Sequence, residues 1–225
     1  MTEEELMNDR FLQMSAEFQS MVNDYFEIQC RYQSAIREVR TKLEVLDDEF
    51  RMKHRRNPIH HMESRMKSIQ SMMEKLQRKN MSVSVTSAVE NLTDIAGIRV
   101  ICSYIEDIYT IANLLISQDD IKLLRMRDYI KDPKPNGYRS LHMIVEVPVF
   151  LSEGRTLVPV EVQIRTIAMD FWASLEHSLR YKTEGIVVPA DISDELLQTA
   201  SDIAMLDERM QSIHDRVDAL AEKNQ

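Results

Sequence analysis

The 225-residue sequence predicts an α+β fold, with a mixed β-sheet flanked by helices, a long helical region ahead of it and a heptad helix behind it. Three observations carry this prediction. Apolar residues recur at three- and four-residue steps at both ends of the chain. In the middle they recur at every second residue. Glycine is scarce, with four residues against 15 methionines, which suits helix better than a turn-rich all-β fold.

The first helical region spans residues 5–53, where Phe11, Met14, Phe18, Met21, Tyr25, Ile28, Tyr32, Ala35, Val39 and Leu43 mark one face. The stretch His54–Pro58 breaks it. A second helix is expected from about Pro58 to Asn80, with Pro58 near its first turn. At 3.6 residues per turn, Met62, Met66, Ile69, Met73 and Leu76 share one arc. Ser64, Ser68, Ser71, Lys75 and Arg78 share another, with Arg65 at its edge. Strands are expected at Ile95–Tyr104, Ile121–Tyr129, Ser140–Pro148 and Thr156–Thr166. A helix over Ile105–Ser117 joins the first two, a connection that favours a parallel or mixed sheet. KDPKPNG (131–137) has the composition of a loop. A helix over Ile167–Lys182 follows the last strand. In the helical tail from Pro189 to Lys223, Leu196, Ile203, Met210 and Val217 repeat every seven residues. Leu206, Ile213 and Leu220 do so at the complementary step. Such a seam packs on another helix of the same chain or of a partner subunit, with the partner preferred. The division expected is an N-terminal helical region (1–54), a catalytic domain (55–185) and a C-terminal packing or oligomerisation helix (186–225).

Hydrophobic residues make up 44% and charged residues 29%, enough for a core and too apolar for wholesale disorder. No run reaches the ~18 apolar residues of a membrane span. The acidic start MTEEELMNDR is no signal peptide. The expected location is therefore cytoplasmic. Cys30 and Cys102 are expected to be buried thiols. Net charge is −9, but residues 51–80 carry nine Lys/Arg against Glu63 and Glu74, a segment at +7 that leaves −16 elsewhere. Such a protein is not expected to bind membrane, DNA or RNA. Its cationic cluster suits a compact anion such as a nucleotide polyphosphate.

The serine-and-cation arc has phosphate chemistry, since hydroxyls donate to phosphate oxygens and Lys and Arg neutralise them. The competing reading is a solvated helix face. In 156–166, Val158, Val160, Val162 and Ile164 point one way and Glu161, Gln163 and Arg165 the other. A glutamate inside a sheet requires a partner or a metal. Asp94, at the start of TDIAGIRV, joins Glu161 as a candidate Mg²⁺ ligand pair, because Mg²⁺ takes one or two carboxylates plus phosphate oxygens. Asp94 and Arg99 differ by five positions, so they share a face only if Gly97 forms a bulge or Asp94 precedes the strand. The loop PKPNGYRSLH offers Lys134, Asn136, Tyr138 and His142. Tyr138 either stacks on a purine or packs in the core. No P-loop and no G-x-G-x-x-G occurs. His60–His61 lacks zinc-spaced partners, and His214–Asp215 reads as a solvated helix face.

TDIAGIRV (93–100), RDYIKDPKPNGYRSLH (127–142), VEVQIRT (160–166) and AMDFWASLEHSLRYK (168–182) together resemble the synthetase domain of the RelA/SpoT family. With no hydrolase, TGS or ACT region, the chain looks like a stand-alone small alarmone synthetase. The resemblance covers about residues 55–185 and implies a nucleotidyltransferase-like fold. It also implies transfer of the β,γ-pyrophosphate of ATP to the 3′-hydroxyl of GDP or GTP. By motif position, Asp94 and Glu161 hold Mg²⁺, and Glu161 helps deprotonate the hydroxyl. Arg65 and Arg99 sandwich adenine, and Lys67, Ser71, Lys75, Arg78 and Arg127 bind the ATP phosphates. Tyr138 stacks on guanine, with Lys134, Asn136, His142, Gln163 and Glu176 near the acceptor. A homotetramer is implied too. The RelQ-type branch carries an aromatic residue before the arginine-bearing helix and an Asn after IRTxAM. Here stand IHHMESR and Asp170, which speak against activation by pppGpp and fit the RelP-type branch. Two rivals remain at the level of sequence: a toxic relative that modifies adenine nucleotides or the tRNA 3′ end, and an inactive nucleotide- or RNA-binding module.

Overall fold

The computed structural model describes residues 3–54, 56–182 and 189–223. Arg55 and the 185–186 boundary lie outside them. The elements in order are α1 (Glu3–His54), β1 (Ile59–Met66), α2 (Ile69–Arg78), α3 (Val85–Asn91), β2 (Ala96–Cys102), α4 (Ile105–Ile116), β3 (Lys122–Asp128), β4 (Leu141–Leu151), β5 (Gly154–Thr166), α5 (Ile167–Lys182) and α6 (Ala190–Glu222). The strands form one mixed sheet in the order β1-β2-β5-β4-β3, in which β2 and β5 run parallel and the other neighbours antiparallel. A two-residue turn at 152–153 closes the β4–β5 hairpin, and Gly154 sits beside it at φ 120°.

Period-two alternation sorts the sheet into two faces. Ile98 and Val100 of β2, Met143, Val145 and Val147 of β4, and Val158, Val160, Val162 and Ile164 of β5 are all buried in the main core. α1 covers that face with Ile28, Tyr32, Ala35, Val39 and Leu43, the residues its period picks out, and α4 adds Ile108, Ile111 and Leu115. The opposite face carries Arg99, Gln163, His142 and Glu161. No helix among the described residues is long and apolar enough to cross a membrane.

Residues 59–66, expected inside a helix, are an edge strand instead. Met62 and Met66 pack against the core, and a step of four residues is common to one helical turn and two pleats. The outward residues of an edge strand are polar on both sides, so alternation is hidden: His60, His61, Glu63, Ser64 and Arg65 are all exposed. The helix proper starts where Ser68 accepts from Ser71 N–H at 3.2 Å. It ends at Asn80 (φ 54°), where Asn80 N–H reaches Gln77 O and Met81 N–H reaches Leu76 O, a left-handed cap. The seven-residue α3 was not anticipated; Ser84 caps it by accepting from Ser87 N–H. Cys102 is buried as expected, but Cys30 is exposed on α1.

α6 docks on its own domain through one stripe. Trp172 Nε1 donates to Leu196 O at 3.1 Å, Thr166 Oγ1 donates to Asp207 at 2.6 Å, and Glu106 N–H donates to Gln211 Oε1. His214 stacks on Tyr104 with ring centres 4.1 Å apart. This corrects the expectation that His214 faces solvent. The heptad residues Leu206, Met210, Ile213, Val217 and Leu220 lie off that stripe and stay exposed in the single chain.

Thr166 serves two elements at once, since its Oγ1 also accepts from Met169 N–H at the start of α5. Its partner Asp207 is buried, which raises its carboxyl above the ordinary range despite the Thr166 bond and the nearby Arg139 charge. A raised carboxyl means that the folded state favours the protonated form. That contribution is present below the unfolded value and is lost as pH rises through the folded one. Asp207→Asn keeps the oxygen acceptor without the charge. It is expected to raise the melting temperature near pH 8 by roughly 1–3 °C and to lose the gain near pH 4, which a pH series of thermal melts checks.

Candidate active site

The parallel pairing of β2 with β5 sets the site. Register aligns Glu63, Arg99, Gln163, His142 and Arg127 as one row across all five strands. Two residues along, Arg65, Gly97 and Glu161 form a second row on the same face. Gly97 has no side chain, so the sheet there is floored by backbone and opens into a cleft of ≈ 280 Å³ between Arg65, Lys67, Asp94, Arg99, Glu161 and Gln163. Six of the sequence-predicted residues thus share one cavity. Asp94 precedes β2, which begins at Ala96. That removes the parity conflict with Arg99 and requires no bulge.

Asp94 is the electrostatic centre. Its Oδ2 accepts from Lys75 Nζ at 2.6 Å and Lys67 Nζ at 2.9 Å. Burial pushes its carboxyl up, but these two ammonium donors outweigh burial and hold it below the usual carboxylate range. Its Oδ1 is buried without a hydrogen-bond partner. Glu161 behaves alike. Burial raises it, while His142 and Gln163 together bring it below the usual range, with Asp94 opposing. Gln163 Nε2 donates to Glu161 Oε2 at 2.9 Å, and His142 Nδ1 lies 3.6 Å from Oε1. Both carboxylates are therefore ionised at neutral pH. One is left with a vacant oxygen, the donor chemistry that suits a hard cation. Among the described residues no cluster of three or more His, Cys, Asp or Glu side chains is set to hold a metal.

Arg65 and Arg99 are diagonal neighbours on adjacent antiparallel strands, side by side on one face. Such pairs are about 7–8 Å apart, room for one flat ring in contact with both. Arg99 donates to Glu63 Oε2 at 2.9 Å and lies 3.8 Å from Asp170. Arg165, buried in the same face, lies 3.4 Å from Asp170 and donates to Gln163 Oε1 at 3.1 Å. Asp170 is thus a carboxylate between two guanidiniums. Ser71 sits in the first turn of α2, where its hydroxyl accepts from Ser68 Oγ at 3.0 Å. Lys75 and Arg78 follow on the same helix face, Arg78 exposed in the last turn.

The row continues from Gln163 to a second group. Tyr138 Oη and His142 Nε2 are 2.9 Å apart. Burial raises the Tyr138 hydroxyl, tempered by Arg165, so it keeps its proton. The other ring nitrogen, Nδ1, faces Glu161. Lys134 Nζ lies 4.5 Å over the Tyr138 ring and Arg165 5.6 Å over it. Tyr138 precedes β4 and packs on Trp172 of α5 rather than in the main core. Asn136 Nδ2 donates to Glu176 Oε1 at 3.0 Å. Arg127 stands apart, exposed on the far edge strand, where it donates to Tyr129 Oη. Sequence reasoning assigned no role to Arg165 or Glu63, and it used Asp170 only to tell the branches apart, not as a partner of Arg165 and Arg99. The alternation of Glu161, Gln163 and Arg165 was the signal for the first, and nothing local signals the other two.

A family model described as a region found in RelA/SpoT proteins matches residues 64–186. The chain is 46% identical over 187 residues to the GTP pyrophosphokinase YwaC of Bacillus subtilis, across 83% of this chain and 89% of that protein. It superposes on the crystal structure of small alarmone synthetase 2 from Bacillus subtilis with a TM-score of 0.78 at 43% identity, covering 86% of this chain and 99% of the other. Small alarmone synthetase 1 of that organism, bound to its product pppGpp, gives 0.75 at 34% identity, covering 83% and 94%.

A Cβ at Gly97 would meet only Arg65 O at 3.6 Å and Glu161 O at 3.8 Å, ordinary contacts. Gly97→Val is therefore expected to fold with a melting temperature within about 2 °C of wild type. Its side chain would fill the cleft floor, and nucleotide affinity measured by calorimetry is expected to fall by about tenfold or more.

Proposed function

This chain belongs to the RelA/SpoT family, and on that premise we propose that it is a (p)ppGpp synthetase. It transfers the β,γ-pyrophosphate of ATP to the 3′-hydroxyl of GDP or GTP and releases AMP. The observation that carries this is the shared cleft. Asp94, Lys67 and Glu161 line that one cleft, and Glu161 leads out of it through His142 to Tyr138.

Adenine sits between Arg65 and Arg99, whose diagonal spacing supports a single intercalated ring. Lys67, Lys75, Ser71 and the outer cations Arg78 and Arg127 meet the phosphates. Asp94 and Glu161 hold Mg²⁺, a reading supported by the unpartnered Asp94 Oδ1 and by the low carboxyls of both residues. Held by these two carboxylates, Mg²⁺ would supply charge neutralisation for the transferred phosphates. Lys67 and Lys75 then exchange part of their hold on Asp94 for phosphate oxygens. Guanine stacks on Tyr138, with Lys134, Asn136, His142, Gln163 and Glu176 around it. O3′ attacks the β-phosphorus, the bond from that phosphorus to the α,β-bridging oxygen breaks, and AMP leaves. A carboxylate held below the usual range is a weak base. Glu161 therefore orients the 3′-hydroxyl and accepts its proton late, which suffices for a loose phosphoryl transition state. Positioning and charge neutralisation supply most of the acceleration.

Within the family, the RelP-type branch fits IHHMESR and Asp170. The carboxylate of Asp170 is engaged by Arg165 and Arg99. The compartment is the cytoplasm, where both substrates are found. The assembly is a homotetramer, supported by exposed apolar rows on α5 (Ile167, Phe171, Leu175, Leu179) and α6 (Leu206, Met210, Ile213, Val217, Leu220). Light scattering is expected to give four times the 26.3 kDa chain mass; a monomer at micromolar concentration would refute the assembly.

The deciding assay supplies Mg²⁺, γ-labelled ATP and GDP or GTP. Label in ppGpp or pppGpp with matching AMP is expected, and Asp94→Ala is expected to lose that product while staying folded. Label in tRNA or adenine nucleotides instead, or none with ATP bound, would overturn the proposal.

A further inference from the structure

Gly137 and α6 meet too closely for any side chain to fit between them. A Cβ on Gly137 would lie 2.5 Å from Ala200 Cβ and 3.3 Å from Leu197 Cδ1. The backbone there has φ 88°, a conformation that glycine alone adopts readily. Gly137 closes a tight turn, with its N–H donating to Lys134 O at 2.8 Å, and Lys134 N–H donates to Tyr138 O at 3.2 Å. The turn therefore fixes Lys134 and Tyr138 relative to each other, while its position in the molecule is set from outside.

Two helices do that. From α5, Glu176 accepts from Asn136. From α6, Ala200 fills the space against Gly137 and joins Trp172, Ala173, Ile203 and Tyr138 in a small core separate from the main one. α6 is itself locked at this point by Trp172 Nε1 on Leu196 O. The donor-side residues Arg65, Lys67 and Lys75 come from β1, α2 and the short link between them, and β1 and α2 pack on β2, α1 and α3.

We infer that α6, through Ala200 against Gly137, is the positioning element for the acceptor loop, so that its docking sets affinity for the guanine nucleotide and leaves ATP affinity unchanged. This rests on the synthetase reading, in which Tyr138 carries guanine. Ala200 touches no substrate in it. The residue acts by holding the turn that aims the ring. The same small core holds the chain's one tryptophan, which makes Trp172 emission a built-in report on this junction.

The test uses the full chain. GDP alone, which permits no turnover, is titrated while Trp172 emission is read. A non-hydrolysable ATP analogue with Mg²⁺ is titrated separately by calorimetry. Wild-type emission is expected to change with GDP. Ala200→Leu, which forces the turn away, is expected to raise the GDP Kd about tenfold while the ATP analogue stays within about twofold. Ala200→Gly, which removes support without adding bulk, is expected to give a smaller shift of the same kind. GDP binding equal to wild type in both variants overturns the inference alone, as does an equal loss for both nucleotides in both variants. Absence of GDP binding in the wild type overturns the synthetase reading and the inference with it.

Discussion

Everything in the site follows from one parallel pairing, β2 against β5. Its register puts Gly97 beside Glu161 and Arg99 beside Gln163, and thereby brings the segment that carries Asp94 to the mouth of the same cleft. A slip of one residue would turn Glu161 and Gln163 into the apolar layer under α1 and expose Val160 and Val162. The cost of burying the Glu161 charge and the Gln163 amide ties correct register to correct core. The catalytic geometry is thus protected by hydrophobic packing on the other side of the sheet, not by bonds within the cleft.

The cleft stores charge in compensated form. Two lysines share one oxygen of Asp94, and a carboxylate from α5 bridges two arginines. Without a nucleotide, clustered cations at such distances repel one another. The acidic residues among them offset that repulsion, and on the proposed reading an incoming polyphosphate would take over part of that neutralising task. Binding therefore exchanges ion pairs rather than creating them from nothing, which moderates affinity while preserving selectivity for a highly charged ligand.

Much of this was legible in the chain. The alternation of Val158 through Ile164 against Glu161, Gln163 and Arg165 gave β5 its faces, and α4, α5 and α6 lie within a residue or two of where periodicity put them. β1 was not legible, because Met62 and Met66 satisfy both a helical turn and two pleats, and an edge strand has no fully buried face to declare itself. α3, with seven residues, is too short for its period to register. The pairing of Asp94 with Lys67 and Lys75, of Glu63 with Arg99 and of His214 with Tyr104 depends on which surfaces meet in space. Spacing along the chain carries no such information.

The position of β1 has one more consequence. Among the described residues it is bonded to β2 on one side and to no strand on the other, and most of its side chains are exposed. Local opening of such a strand costs less free energy than unfolding the sheet centre, and its amides exchange with solvent sooner than those of β5. Arg65 rides on that strand, while Tyr138 and Glu161 are anchored to interior strands or to buried aromatic packing. On the proposed assignment of these residues, the protein is stiff on the guanine-nucleotide side and compliant on the ATP side, and heat or denaturant would loosen the ATP side before the fold is lost.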